Sequence, residues 1–90
     1  MNKEVWIPVE VLQCEELSAT DKMIFAVIGL LSSGGVGCIA SNSAIGDTLN
    51  VGKQTASNSI AKLTKLKFVE SAYSGKKVRK LTIPQRLQAN

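Results

Sequence analysis

Histidine is absent from the chain, cysteine occurs twice, and tryptophan and tyrosine once each. Without histidine the commonest general base and a principal zinc ligand are missing, and neither Cys14 nor Cys38 has an evident base to activate it. The carboxylates gather in the first half without metal-ligand spacing, so an enzyme is the weakest functional class and no metal or cofactor is expected. Two isolated cysteines in such a chain read as buried thiols rather than as a disulfide. The longest apolar run, Met23 to Leu31, is about half of the ~18 residues that a membrane span needs. The amino terminus lacks the basic segment, apolar core and small-residue cleavage site of a secretory signal, so a cytoplasmic location away from membranes is expected. Aromatic residues are too few for a stacking platform beyond Tyr73, which disfavours single-stranded nucleic acid as a ligand. The stretch Ser32, Ser33, Gly34, Gly35, Gly37 reads as a turn, since it lacks the lysine and Ser/Thr of a phosphate-cradling loop.

What is present is enough for one small core: 90 residues with 44% apolar content form a single domain. Pro8 suits the first turn of a helix running from about Val9 to Glu16, which offers Val9, Leu12 and Cys14 or Leu17 to a core. Trp6, just before it, is either an anchor packed on its own domain or part of a dimer contact. Ser18 followed by Asp21 has the spacing of a capping box and starts a second helix, Ala19 to Ser32. That helix is apolar on nearly every side, from Met23 through Leu31, so it must be the hub against which the others pack. Cys38, Ile39 and Ala40 form a short strand, and Ser41 or Asn42 caps the next helix.

From Asn42 to Val69 the pattern is helix, tight turn, helix. Ser43 to Leu49 places Ala44, Ile45 and Leu49 on one face, and Asn50, Val51 and Gly52 break the helix. From Lys53 the period resumes with Ala56, Ile60 and Leu63 inward, while Gln54, Asn58, Ala61 and Lys65 lie opposite. This layout lets one helix brace on a DNA backbone while the next enters the major groove. Phe68 and Val69 then start a strand, Ser74 and Gly75 supply a turn, and Val78, Leu81, Thr82 and Ile83 return before Pro84 stops the strand. A hairpin directly after a recognition helix is a wing. The expected fold is therefore α+β, mainly α: a winged helix-turn-helix over residues 1–90, with an arm at 1–8, the helix-turn-helix at 42–66 and the wing at 68–83.

Charge separates along the chain. Residues 1–45 carry two lysines against five carboxylates, a net −3, whereas residues 46–90 carry nine cations against two carboxylates, a net +7. Such a basic half is the electrostatic footprint of a phosphate-binding surface, although solvated charged faces and lysines that guard a sheet edge look similar. On the DNA reading, Gln54 and Asn58 pair with adenine and Lys53 approaches guanine, while Thr55 and Ser57 contact phosphate. Lys62, Lys65, Lys76, Lys77, Arg79 and Lys80 would bind the backbone, and Asn42 and Ser43 would present amides to a phosphate. A monomer of this size buries little DNA, so dimers or arrays on repeated sites are expected.

Several stretches in combination carry a family likeness: Trp6-Ile7-Pro8, LSATDKMIFAVI (residues 17–28), GCIASN (37–42), and LNVGKQTASNSIAKL (49–63) followed by KFVE (67–70). Over residues 5–83 the chain resembles the amino-terminal winged-helix domain of phage replisome-organiser and DnaD-type replication-initiation proteins. The resemblance implies binding of double-stranded DNA at an origin or similar element. It also implies self-association, as a homodimer or higher oligomer, through the first residues and the wing, and contact with other replication proteins. Longer members continue into a carboxy-terminal domain for helicase or single-strand contact, so helicase loading is not carried over to this sequence. A transcriptional repressor, a plasmid partition or transfer accessory protein, and a winged helix that binds an acidic protein instead of DNA would share the same residues.

Overall fold

A helix that is apolar around most of its circumference is stable only with neighbours around it, and α2 (Ala19–Leu31) has them. Its Ile24, Phe25, Ala26, Val27 and Ile28 are buried, and it packs against α3 (Asn42–Thr48), α4 (Lys53–Lys65) and strand β2 (Val78–Thr82). The computed structural model describes residues 5–32, 37–74 and 78–88. The remaining elements are α1 (Val9–Leu12), β1 (Glu70–Ser74) and a 3₁₀ turn at Gln85–Leu87. Four helices followed by one antiparallel hairpin make the α+β winged-helix arrangement that the sequence led us to expect.

The first helix is shorter than expected. It ends at Leu12 rather than near Glu16, and its inward residue is Val11, while Val9 and Leu12 face solvent. Turns closed by Cys14 N–H to Val11 O and Leu17 N–H to Cys14 O bring the chain round to Ser18, whose extended backbone starts α2. Leu17 is buried and Cys14 half-buried after the helix, not on it. The Ser18 hydroxyl accepts from Asp21 N–H at 3.1 Å and Asp21 Oδ2 accepts from Ser18 N–H at 2.9 Å, completing the capping box. Trp6 is half-buried, with its ring centroid 6.2 Å from that of Phe25 at 49°. It is therefore an anchor on its own domain.

Ser41, not Asn42, caps α3, accepting from Ala44 N–H at 3.1 Å. The turn into α4 is made by Asn50 in the left-handed region (φ 58°) and by Val51 N–H donating back to Gly46 O at 2.9 Å. So close a return excludes a side chain at Gly46: a Cβ there would lie 2.7 Å from the Val51 carbonyl oxygen. Ile45 is buried as expected, whereas Ala44 is exposed.

At the other end of α4, Lys67 adopts φ 66°. Phe68 N–H donates to Leu63 O at 2.9 Å and Lys67 N–H to Thr64 O at 3.0 Å, the two bonds of a Schellman cap. Phe68 and Val69 are buried by this cap, so β1 begins at Glu70 rather than at Phe68. β1 and β2 pair antiparallel, with Tyr73 opposite Arg79 and Ser71 opposite Leu81. Cys38 exchanges both backbone hydrogen bonds with Leu81 at 2.8 Å. The expected strand Cys38–Ala40 is thus reduced to a single bridge, because Ile39 is exposed and the chain turns at Ala40 into α3. Cys38 is fully buried, and both cysteines are free.

Beyond Pro84 the chain returns to the core. Leu87 is buried, and Arg86 donates to Glu10 Oε2 at 2.9 Å and to the Lys67 carbonyl at 3.0 Å. Among the described residues no helix is long and apolar enough to cross a membrane.

Candidate nucleic-acid interface

An amphipathic helix on a small core buries one stripe and leaves the other to solvent. On α4, Ala56, Ser59, Ile60 and Leu63 are buried, and Gln54, Asn58, Ala61 and Lys65 are exposed opposite them. Lys53 and Thr55, in the first turn, are exposed as well. One turn of helix brings Gln54 and Asn58 together: Gln54 Nε2 donates to Asn58 Oδ1 at 2.9 Å.

Strand alternation decides which wing residues face this helix. Tyr73 and Ser71 on β1 and Arg79 and Leu81 on β2 share the face turned to α4, and Lys80 and Thr82 share the other. Between helix and hairpin runs an open groove of about 500 Å³. Ser57, Ala61, Thr64 and Lys65 line it on the helix side, and Ser71, Tyr73 and Arg79 on the hairpin side, above Ile60 and Leu81. Ser57 is half-buried in this groove.

Two cations expected on phosphates are held by the protein itself. Lys62 Nζ lies 2.9 Å from Asp21 Oδ2. Arg79 donates through Nη1 to Asn42 Oδ1 and through Nη2 to the Ala40 carbonyl at 2.8 Å, fastening the wing to the start of α3. Asn42 therefore offers its side chain to Arg79, while Ser43 beside it is exposed. Lys80 is half-buried over Gly37, which has φ +99°, and a Cβ at that glycine would lie 2.7 Å from Lys80 Cγ. Lys76 and Lys77 lie outside the described residues. Among the described candidates, Gln54, Asn58 and Lys65 lie on an outward stripe of α4, Ser57 lies in the groove beside it, Lys62 and Arg79 are bonded within the fold, and Lys80 lies on the far face of the hairpin.

Asp21 was legible only as a cap, yet among the described residues it is the carboxylate held in a buried network. It is 5% exposed and receives the Ser59 hydroxyl at 2.6 Å together with the Lys62 ammonium. Burial alone would raise its pKa, but the hydrogen bonds from Ser59, Lys62 and Ser18 outweigh burial and bring the carboxyl down from 3.8 to about 2. A hint was present in the sequence: Ser59 interrupts the apolar stripe of α4, and a buried hydroxyl needs a partner. Nothing local indicated that the partner would be 38 residues away.

Among the described residues no group of three or more His, Cys, Asp or Glu converges as a metal site would require. No protein-family model matches the chain, and neither a curated protein nor a solved structure matches it.

Proposed function

We propose that the chain is a double-stranded-DNA-binding domain of a phage or plasmid replication-initiation protein, which inserts α4 into the major groove of origin-type sites and lays its wing along the backbone. The observation that carries this reading is the uncovered stripe Gln54, Asn58, Ala61, Lys65 on a helix flanked by the hairpin. A helix of 13 residues is about 20 Å long and slim enough for a major groove about 12 Å wide. Small and amide side chains lie at its amino-terminal half, where base edges are met, and Lys65 lies at its far end, toward the backbone. The replication assignment rests on the sequence resemblance, as does assembly into a homodimer or higher oligomer on repeated sites.

Of the seven cations that the DNA reading sets against DNA, Lys62 and Arg79 are bonded within the fold, which leaves five: Lys53, Lys65, Lys76, Lys77 and Lys80. Neutralising about five phosphates gives a fall in affinity of roughly 500-fold between about 50 and 200 mM salt. Fluorescence anisotropy with a random-sequence duplex over that range tests the reading. Absence of binding at the low-salt end would overturn it in favour of a protein-binding winged helix. Selection of the bound sequence, and its position relative to a replication origin or a promoter, separates an initiator from a repressor.

A further inference from the structure

We propose that Gln54 and Asn58 act as one reading unit selecting adenine at the base pair that faces the first turn of α4, with Gln54 touching the base and Asn58 as its positioning residue; this rests on the DNA-binding reading above. The two side chains are exposed, lie one helical turn apart, and are joined by the bond from Gln54 Nε2 to Asn58 Oδ1 at 2.9 Å. A primary amide carries two N–H groups and one carbonyl oxygen. With one N–H given to Asn58, Gln54 retains the other together with Oε1, a donor and an acceptor on one rigid amide.

That pair matches adenine, which offers N6–H as donor and N7 as acceptor in the major groove. Guanine offers two acceptors there, O6 and N7, and would set O6 against Gln54 Oε1. Cytosine offers only the N4 donor and would leave the Gln54 N–H unmatched. Asn58 is placed differently. Its oxygen is already accepting from Gln54, so the paired contact with adenine open to an asparagine by residue type gives way to the positioning role. Ala61, next on the same stripe, has no polar side-chain atom to compete for Gln54.

A glutamine left free rotates about three side-chain bonds, so aligning its amide with a base edge has an entropic cost. The bond to Asn58 sets that alignment before DNA arrives. Removing Asn58 should therefore weaken the discrimination made by Gln54 even though Asn58 need not touch the base.

The test uses the full chain and a duplex obtained by selection, with each adenine in turn replaced by 7-deazaadenine, which lacks only the N7 acceptor. At one position the replacement should weaken wild-type binding about tenfold, and in Gln54→Ala the same replacement should have no effect. Asn58→Ala should reduce the tenfold ratio to about threefold or less. Asn58→Asp keeps the acceptor oxygen, so it should preserve the ratio while weakening every duplex through its charge. The proposal is overturned if Asn58→Ala retains the full ratio, if Asn58→Asp loses it as Asn58→Ala does, or if no 7-deazaadenine position affects the wild type. In each of those cases salt-dependent duplex binding would survive. Loss of all duplex binding by the wild type would instead remove the DNA reading itself.

Discussion

Replacing Asp21 by asparagine tests the one buried charge network of the described fold. Lowering a carboxyl from 3.8 to about 2 corresponds to about 2 kcal/mol of stability. That is a substantial share of the roughly 5 to 15 kcal/mol that holds a domain of this kind together. Because the folded pKa lies below the unfolded one, the contribution is fully present above about pH 4 and is lost as pH falls through about 2. Asparagine keeps one acceptor oxygen, for Ser18 N–H in place of Oδ2, and its amide N–H would face the Ser59 hydroxyl where Oδ1 accepted, while the charge facing Lys62 is lost. Urea denaturation of wild type and Asp21→Asn should therefore differ by about 2 kcal/mol near pH 6, with the gap closing as the pH approaches about 2. Taking the difference between the two proteins removes the acid sensitivity of the other carboxylates. A gap that stays constant across this range, or no gap near pH 6, would refute the assignment of the stability to ionised Asp21.

Four further substitutions follow from the geometry. Gly46→Ala forces a methyl against the Val51 carbonyl between two packed helices, where neither backbone can give way; a cost of about 2 to 3 kcal/mol, visible as a fall of roughly 10 °C or more in melting temperature, is expected. Lys67→Gly relieves a left-handed non-glycine residue while keeping both cap hydrogen bonds, and should raise the urea midpoint by the equivalent of about 0.5 kcal/mol. Lys62→Met should leave the dependence of DNA affinity on salt unchanged while lowering stability by up to about 1 kcal/mol, since the lysine side chain is partly exposed. Lys65→Met should do the reverse, reducing the magnitude of the log–log salt slope by about 0.9. Equal slopes for these two variants would return Lys62 to the phosphate surface.

What could be read from the sequence was local or periodic. The hub helix followed from apolar residues on all sides between Met23 and Leu31, its start from the Ser18–Asp21 spacing, and α4 from Ala56, Ile60 and Leu63. The reading failed where a distant neighbour decides. The end of α1 is set by the chain's need to turn before Ser18. Lys67 takes a conformation usually left to glycine or asparagine, so no residue type signalled the cap. The return of Leu87 and Arg86 to the core and to Glu10 spans almost the entire chain, beyond the reach of any pattern of period 2 or 3.6. The candidate interface shows the same division: the outward stripe of α4 followed from period alone, whereas the diversion of Lys62 and Arg79 required knowing what lies beneath and beside them.

Net charge therefore exaggerates the surface available to an anionic partner. Of the nine cations in residues 46–90, Lys62, Arg79 and Arg86 each bond an acceptor elsewhere in the chain. These bonds do not have equal weight. Arg86 and Glu10 are both about half exposed, so their pair contributes little in salt. Asp21 is buried, and Arg79 meets a neutral carbonyl and a neutral amide, so neither of those links depends mainly on long-range attraction that salt screens. Lys62 joins α4 to the start of α2, and Arg79 joins the wing to the start of α3. The placement of α4 and of the wing is thus braced by two cations that are bonded within the fold. On the proposed DNA-binding function, charge reversal at Lys62 or Arg79 would consequently weaken binding through misplacement of α4 or the wing. A mutational scan read only as loss of binding would mistake both for phosphate contacts, and the salt slope separates the two roles because only a phosphate contact releases a counterion.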